Sequence, residues 1–320
     1  MESMENTIYK CNVCGNTHNN SLYIAKEMMF GYRDEFKYFK CAECECLQIS
    51  EIPVNLSKYY SNYYSFNTTS KKKLRQNIMT LIYANPVTTW LGKLLIEKIA
   101  LRYNKVYSSS PLYWFKNNYC NFNSKILDVG CGGGFLLLLL NDYGFKHLKG
   151  VDLFIEKDLN YKNVNIKKGD VYSIEEQFDF IMLHHSFEHM SEPSKVLNKL
   201  TSLISKNGTI LIRIPLVDCY AWRKYGVHWA GLDAPRHLFL HTVKSISILS
   251  EKNGLKIDKI VYDSNDFQFS ASDKYLRDIP LEDNINIHTK QEIKYYEKKA
   301  RELNLLKDGE RACFFLKKMD

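Results

Sequence analysis

Apolar runs of strand length recur along the second half of the chain, separated by amphipathic segments. Seven of these runs predict strands, at residues 125–130, 148–153, 164–170, 178–185, 208–215, 255–263 and 311–318. The segment at residues 193–205 (PSKVLNKLTSLIS) has helical periodicity and predicts a helix between the fourth and fifth strands. Because strands alternate with helices, the pattern predicts an α/β fold with a mostly parallel sheet covered on both faces.

The residues before 123 follow a different pattern, which predicts two smaller units. The first of these is too short to bury much apolar core by itself. The second begins with a segment rich in Tyr, Asn and Lys (SKYYSNYYSFNTTSKKK) and becomes amphipathic at residues 81–103. We therefore predict an N-terminal unit at 1–57, a helical connector at 58–122, and an α/β domain at 123–320 with insertions near 216–245 and 264–310.

Two close pairs of cysteines in the N-terminal unit predict a metal site. They are Cys11 with Cys14 and Cys41 with Cys44, and 26 residues separate the pairs. Four thiolates on two such turns suit tetrahedral Zn²⁺, and the metal would supply much of the unit's folding free energy. The alternative is four thiols without a metal. Cys46 follows closely and could compete as a ligand, but we treat it as a spare thiol.

Charge and hydropathy narrow the class of protein further. The 320 residues carry a formal net charge of +8, which permits an anionic partner without requiring one. The first 30 residues contain no apolar signal core, and the longest apolar run, Phe135 to Leu140, is too short to cross a bilayer. These features predict a soluble cytoplasmic protein that does not insert into membranes.

A glycine-rich stretch after the first strand of the α/β domain, KILDVGCGGGF, indicates a ligand held close to the backbone. The dinucleotide fingerprint G-x-G-x-x-G would need glycine at the position of Phe135. Acidic residues at the ends of the next two strands, Asp152 and Asp170, are placed to contact a ribose and an adenine. This set favours S-adenosylmethionine over a dinucleotide.

Residues 125–320 resemble a class I S-adenosylmethionine-dependent methyltransferase. The paired cysteines in front and the segment HWAGLDAPRHLFLHT behind make the whole chain similar to zinc-ribbon methyltransferases that modify sugars in bacterial polysaccharide and antibiotic pathways. The resemblance implies a Rossmann-like sheet of seven strands, with the last strand antiparallel and the donor at the carboxyl ends of the strands. It also implies that residues 1–57 form a zinc ribbon and that the insertions near 216–245 and 264–310 lie on the acceptor side of a catalytic methyltransferase domain. It implies the following donor-binding residues: Asp128, Gly130, Cys131, Gly132, Gly134, Asp152, Leu153, Asp170, Val171 and His184.

Methyl transfer to a sugar hydroxyl needs a group that removes the hydroxyl proton, and histidine is suited to this at neutral pH. We expect His237 to be this base, because its loop would lie over the transferable methyl group. Glu188 and His189 are the other catalytic candidates, and a role in shaping the donor pocket is the alternative for both. Arg236 stands where some carbon-methylating relatives have glutamate, which favours an oxygen acceptor.

Several side chains are open to two interpretations. Trp222 and Trp229 would stack on a sugar ring while Arg223, Lys224 and Arg236 hold phosphates, or the same segment is a lid that packs on its own domain. Four tyrosines would line a substrate entrance or pack the ribbon against the core: Tyr59, Tyr60, Tyr63 and Tyr64. The cluster Lys71–Lys73 would contact phosphate or form a solvated face.

Three functions fit the sequence, and we prefer a methyltransferase that acts on a small molecule, a sugar or nucleotide-sugar. The second is an RNA methyltransferase that uses the ribbon and the positive charge. No basic stripe interleaved with aromatic residues appears in the sequence, so nucleic acid is not the expected partner. The third is a binding module without catalysis, although the glycines and both acidic residues are intact.

Overall fold

A computed structural model describes residues 9–60, 113–114 and 117–319 of the chain. Most of the predicted helical connector, with Tyr63, Tyr64 and Lys71–Lys73, lies outside the described residues. The strands are β1 Ser21–Lys26, β2 Glu35–Lys40, β3 Leu47–Ile49, β4 Lys125–Val129, β5 His147–Asp152, β6 Leu159–Tyr161, β7 Val164–Lys168, β8 Phe178–His184, β9 Ile204–Pro215, β10 Phe239–Leu240, β11 Leu255–Tyr262 and β12 Arg311–Lys318. The α-helices are α1 Phe135–Asp142, α2 Pro193–Leu203, α3 Tyr220–Tyr225, α4 Val243–Lys252, α5 Phe267–Leu276 and α6 Lys290–Leu305.

The larger sheet has eight strands in the order β11-β12-β9-β8-β4-β5-β7-β6. Strands β7, β5, β4, β8 and β9 are parallel to one another, and β12 runs antiparallel to both β9 and β11. All seven predicted strands are present, and the last is antiparallel as the resemblance implied. The predicted count of seven was wrong because β6 adds a three-residue edge strand. All three of its residues are exposed, so β6 leaves no apolar run in the sequence.

The middle of the sheet is buried on both faces, as expected for a strand covered by helices on each side. In β8, Phe180 and Met182 pack into one apolar cluster, whereas Ile181 and Leu183 pack into the other. This alternation follows the period of two residues along a strand. The carboxyl ends of the parallel strands therefore form one rigid edge.

Helix α2 illustrates how the sequence places the connections. Proline is its first residue, where a missing backbone N–H costs no helical hydrogen bond. Val196, Leu197, Leu200 and Leu203 are buried on one face, as the sequence periodicity predicted. The helix ends directly before β9, and it brings that strand into the sheet beside β8.

The ribbon is joined to the catalytic domain by a shared sheet. Strands β1, β2 and β3 form an antiparallel sheet whose fourth strand, β10, comes from the predicted insertion at 216–245. Phe239 pairs with Gln48, and Leu240 pairs with Leu47. The ribbon and the loop after β9 consequently form one folded unit. Within the described part of the chain, no helix has the length and apolar character needed to cross a membrane.

Candidate active site

A cavity of about 520 Å³ opens at the carboxyl ends of β4, β5 and β8, with the turn after β7 at its rim. Eight of the ten predicted donor-binding residues line it: Gly130, Cys131, Gly132, Asp152, Leu153, Asp170, Val171 and His184. The remaining two, Asp128 and Gly134, are not on its wall. A ligand at this edge follows the general rule for open parallel α/β sheets.

Three of the four glycines after β4, Gly130, Gly132 and Gly134, have left-handed backbone angles but different surroundings. A Cβ added to Gly130 would lie 2.4 Å from Cβ of Ser186, and one added to Gly134 would lie 2.1 Å from Cδ1 of Ile166. A Cβ added to Gly132 would meet no atom within 4 Å. Gly132 therefore leaves open space for a ligand beside its backbone, whereas Gly130 and Gly134 are required by packing.

Asp152 lies at the end of β5 and organises the centre of the cavity. Its carboxylate accepts hydrogen bonds from the backbone N–H groups of Gly132 and Phe154, each at 2.8 Å. Each carboxylate oxygen has a second lone pair that can accept a ribose hydroxyl. Burial and the charge of Asp152 raise the pKa of Asp128 to about 8, so Asp128 is protonated at neutral pH. Of this neighbouring pair of aspartates, only Asp152 then carries a charge.

Asp170 fixes the rim of the cavity after β7. It is the N-cap of a short 3-10 turn, and its Oδ1 accepts from the backbone N–H groups of Tyr172 at 3.0 Å and Ser173 at 3.3 Å. The side chain is exposed and borders the cavity. This position agrees with the contact to the adenine end of the donor that the sequence predicted.

Four residues that we call the histidine cluster, His185, Glu188, His189 and His237, lie beyond β8. Nη1 of Arg213 lies 2.7 Å from Nε2 of His185, and arginine can only donate. Nδ1 of His185 therefore carries the proton and donates to Oε1 of Glu188 at 3.2 Å. Burial alone would raise the pKa of Glu188, but the His185 hydrogen bond and the neighbouring histidines lower it to about 2. The buried group is a carboxylate.

Two members of the cluster, His185 and His189, line the cavity. His189 is the one whose ring can act as a base. Its Nδ1 lies 2.8 Å from the backbone oxygen of Arg236, and a carbonyl can only accept. Nδ1 therefore carries the proton, and Nε2 is left as an acceptor. Burial and the positive charge that His237 can carry lower the pKa of His189, which keeps its ring neutral at pH 7.

His237, the expected base, lies behind His189 and not on the cavity wall. The two ring centroids are 4.8 Å apart, and His237 is 7% exposed. Its Nδ1 donates to the backbone oxygen of Gly231 at 2.9 Å. Its Nε2 is 3.8 Å from carboxylate oxygens of both Glu188 and Asp233. His237 can therefore assist a proton transfer at His189. The expectation that His237 itself removes the proton from the acceptor hydroxyl stays a prediction.

The loop predicted to bind a sugar phosphate is a packed lid. Trp229 is fully buried and donates from Nε1 to Glu310 at 2.7 Å, while Trp222 is 8% exposed and packs edge-on against it. Arg236 is fully buried as well and is paired with carboxylates. Of the two interpretations that the sequence left open, the packed lid therefore holds for Trp222, Trp229 and Arg236. Burial could not be read from residue type alone.

Arg223 and Lys224, the other two basic residues of that prediction, lie on the lid surface. Arg223 is paired with Asp308, with the nitrogen and oxygen 2.6 Å apart. Lys224 donates to the hydroxyl of Tyr225 at 2.9 Å. Neither is among the residues that line the donor cavity.

Sequence reasoning missed several residues of the cavity wall, including Phe154, Tyr172, Ser186 and Glu192. Phe154 stacks on Tyr60, with ring centroids 5.4 Å apart. Of the four tyrosines that the sequence left open to two interpretations, two are described: Tyr60 lines the cavity, and Tyr59 packs inside the protein. Each interpretation therefore holds for one of them. Phe154 lies two residues after Asp152, so its closeness to a predicted donor-binding residue could have indicated a place on the cavity wall.

The four predicted metal ligands converge in the ribbon. The sulfur atoms of Cys11, Cys14, Cys41 and Cys44 all lie within 4.8 Å of one another. Two Sγ–Sγ distances are 3.5 Å, close to the spacing of about 3.8 Å between sulfurs around tetrahedral zinc. Gln48 donates to the sulfur of Cys11 at 3.1 Å, as expected for a charged thiolate ligand. The donor set fits zinc.

Cys46 lies outside that set. Its Sγ is 3.8 Å from Nδ1 of His241, and both residues are fully buried. The spare-thiol interpretation agrees with this position. His241 thus belongs to the packed junction between the ribbon and the catalytic domain, whereas His228 is exposed in the lid.

Comparisons with known proteins agree with this geometry. Residues 101–260 match the family model described as "Methyltransferase domain". The tRNA U34 carboxymethyltransferase of Campylobacter hominis is 26% identical over 105 residues, which cover 29% of this chain and 37% of that protein. The ubiquinone biosynthesis O-methyltransferase of Aeromonas salmonicida is 26% identical over 104 residues, which cover 28% of this chain and 43% of that protein. The chain therefore spans less than half the length of either relative.

Solved structures with a similar course of the chain include other methyltransferases. One from Thermotoga maritima, described as a possible histamine N-methyltransferase, has 15% identity, covers 75% of this chain and 100% of its own, and gives a TM-score of 0.43. A methyltransferase from Archaeoglobus fulgidus has 19% identity, and the match covers 71% of this chain and 94% of that protein with a TM-score of 0.41. The family match covers half of the sequence. The chain belongs to the methyltransferase domain family, the class I S-adenosylmethionine-dependent methyltransferases.

Proposed function

We propose that the protein transfers a methyl group from S-adenosylmethionine to a hydroxyl oxygen of a small molecule, and that this acceptor is a sugar or nucleotide-sugar. One observation carries the proposal. A neutral histidine, His189, borders the donor cavity with its Nδ1–H fixed on a carbonyl, so Nε2 can accept a proton. An alcohol is a poor nucleophile at neutral pH and gains most from such a base.

The donor supplies a sulfonium methyl group, which is an electrophile without further activation. The chain's part is to hold the donor and exclude water from the reacting atoms. In the proposed complex, Asp152 accepts hydrogen bonds from the ribose hydroxyls, Gly132 allows close backbone approach, and Asp170 borders the adenine. Tyr60 and Phe154 cover the cavity with their stacked rings.

The histidine cluster is proposed to carry the proton. His189 accepts it at Nε2, and the imidazolium that forms lies close to the buried carboxylate of Glu188. His237 has its own acceptor nitrogen facing Glu188 and Asp233, so it can share the charge. This assigns His189 the contact with the acceptor and His237 a supporting role.

The chemical class of the acceptor rests on separate arguments. The named function of the relative from Aeromonas, an O-methyltransferase, favours oxygen. The sugar class rests on the resemblance of the ribbon and lid to sugar methyltransferases. The relative from Campylobacter, which acts on tRNA U34 by its name, makes RNA the second candidate. We also propose that the four-cysteine cluster holds one structural zinc ion.

Mass spectrometry of reaction products tests the proposal. The enzyme is incubated with S-adenosylmethionine and either a panel of nucleotide-sugars or bulk tRNA. We expect a product heavier by one methyl group among the sugars. Methylated tRNA with unchanged sugars would contradict the acceptor, and the absence of any product from both would contradict the proposed reaction.

Variants of two histidines then test the base. We expect His189→Asn to slow transfer by about 10²–10⁴ while the affinity for S-adenosylhomocysteine stays the same. The wild-type rate should rise with pH as the base loses its proton, with a midpoint below the usual 6.5 because the pKa of His189 is lowered. That rise should disappear in the variant. His228→Asn, in the exposed part of the lid, is the matched control. Equal rates for His189→Asn and wild type would contradict the role of His189.

A further inference from the structure

A buried arginine joins the ribbon to the proposed base. Arg236 has no exposed surface, and its guanidinium contacts two carboxylates. Nε and Nη2 bind Asp233, with nitrogen–oxygen distances between 2.5 and 3.1 Å. Nη1 and Nη2 each lie 3.1 Å from Oε1 of Glu27, and Nη1 donates to the backbone oxygen of Tyr59 at 3.1 Å. The loop, the ribbon and the start of the connector therefore meet at one side chain.

Glu27 is itself fixed before it meets the arginine. It follows β1 and is fully buried. Its carboxylate accepts from the backbone N–H groups of Met29 at 3.1 Å, Phe30 at 3.0 Å and Tyr32 at 3.0 Å. The turn between β1 and β2 thus presents a carboxylate in one position. The planar guanidinium group of Arg236 binds this carboxylate through two nitrogens, Nη1 and Nη2.

The backbone of Arg236 faces the histidine cluster. Its carbonyl oxygen is the acceptor for Nδ1 of His189 at 2.8 Å and for the hydroxyl of Tyr60 at 3.3 Å. The next carbonyl, that of His237, accepts from the hydroxyl of Tyr38 in β2 at 2.9 Å. The side chain of Arg236 therefore anchors the peptide group that decides which nitrogen of His189 carries the proton.

We propose that Arg236 and Glu27 are positioning residues for methyl transfer: the Glu27–Arg236–Asp233 triad holds the carbonyl that keeps the proton of His189 on Nδ1, so that Nε2 is the nitrogen that accepts. This rests on the proposed role of His189 as the base, and it gives the ribbon a part in catalysis besides stability. A triad of buried charges costs desolvation and contributes little stability relative to apolar residues of similar size. Its replacement should therefore change the rate far more than the fold.

The test replaces the whole triad, so that no unpaired charge is left buried. In the triple variant Glu27→Gln, Asp233→Asn, Arg236→Met, we expect a melting temperature and an affinity for S-adenosylhomocysteine close to those of the wild type. We expect kcat to fall by about 10–100-fold. The control is Arg33→Met, which removes an ion pair between the same ribbon turn and Asp278 on the surface. It should leave kcat unchanged.

Two measurements separate positioning from a general structural effect. In a His189→Asn background, the triad replacement should slow the reaction less than twofold further, because the group it positions is already gone. The ¹⁵N spectrum of His189 should show protonated Nδ1 in the wild type and a mixture of tautomers in the triple variant. If the triple variant does not fold, Arg236→Lys, which keeps the cation but loses the fork, is measured in the same two ways.

Each outcome has a defined meaning. A tautomer unchanged by the triad replacement, or full additivity with His189→Asn, would overturn the positioning role and leave the proposed base intact. Wild-type activity of His189→Asn would overturn the proposed base and this inference together. Coupled rates with a changed tautomer would support both.

Discussion

The donor cavity and the histidine cluster are built in different ways. The donor side comes from short segments that follow strands of one parallel sheet, each containing its functional residue within a few positions of the strand end, as Asp152 does. The histidine cluster depends on contacts between distant segments, because Arg236 meets Glu27 across 209 positions of sequence. Sheet topology assembles most of the first region, to which the connector adds Tyr60, whereas the second region needs the ribbon in place.

Loss of the metal should have the largest effect, and it should affect the histidine cluster while leaving the donor cavity intact. Cys41→Ser should abolish a zinc site whose binding free energy is roughly 10 kcal/mol or more. Because β3 pairs with β10, and Thr242 in the same segment donates to the backbone oxygen of Cys44 at 2.7 Å, loss of the ribbon should displace the loop that holds Arg236. We expect transfer to be lost, while binding of S-adenosylhomocysteine is retained in whatever protein remains soluble. Elemental analysis, thermal melting and calorimetry measure the three effects.

Cys46→Ser is the control for that experiment, since Cys46 is buried beside the site without belonging to it. It should keep one zinc ion per chain. Zinc lost from Cys46→Ser and kept by Cys41→Ser would show that the ligand set is wrong. Loss of donor binding in soluble Cys41→Ser would show that the two regions are not independent.

The same contrast explains which parts the sequence could predict. The seven main strands, helix α2 and the donor residues follow from periodicity and from short offsets after strand ends. The cysteine cluster follows from its spacing. For Trp229 and Arg236 the sequence left two interpretations open, contact with a sugar and a phosphate or packing within a lid. Their burial depends on partners far away, Glu310 and Glu27, which no local pattern reveals.

Within the donor region, two glycines of one loop should respond differently to the same added methyl group. Gly132→Ala places Cβ toward open space, so we expect a cost to folding of about 1–2 kcal/mol from the left-handed backbone and a fall in donor affinity of at least about tenfold. Gly134→Ala forces Cβ against Ile166, which should lower stability by roughly 1–3 kcal/mol more. Calorimetry with S-adenosylhomocysteine and urea unfolding measure the two quantities.

Asp152→Ala extends that test to the side chain. Hydrogen bonds to a charged group contribute about 1.5–3 kcal/mol each, so affinity should again fall at least about tenfold. Unchanged affinity in both Gly132→Ala and Asp152→Ala would place the donor elsewhere. Wild-type stability of Gly134→Ala would mean that Ile166 can move aside.

The last effect we predict concerns acid and involves two histidines, one on the cavity wall and one in the junction between the ribbon and the catalytic domain. Burial lowers the pKa of His184, on the donor wall, and of His241, beside the ribbon, to about 3 each. Their unfolded value is near 6.5, so between pH 6.5 and 3 the unfolded chain binds more protons at these sites than the folded protein does. The contribution of each histidine to the free energy of unfolding should therefore be fully present above pH 6.5. On acidification below that value it should fall by about 1.4 kcal/mol per pH unit for each histidine.

His184→Gln and His241→Gln each remove one of these titrations. Either change will lower stability by a constant amount, so the informative quantity is the slope of unfolding free energy against pH between about 4 and 6. We expect each variant to reduce that slope by about 1.4 kcal/mol per pH unit, and the double variant by twice as much, because the two sites lie in different parts of the protein. An unchanged slope in one variant would mean that its histidine is already charged in the folded protein, and would locate the acid sensitivity at the other histidine.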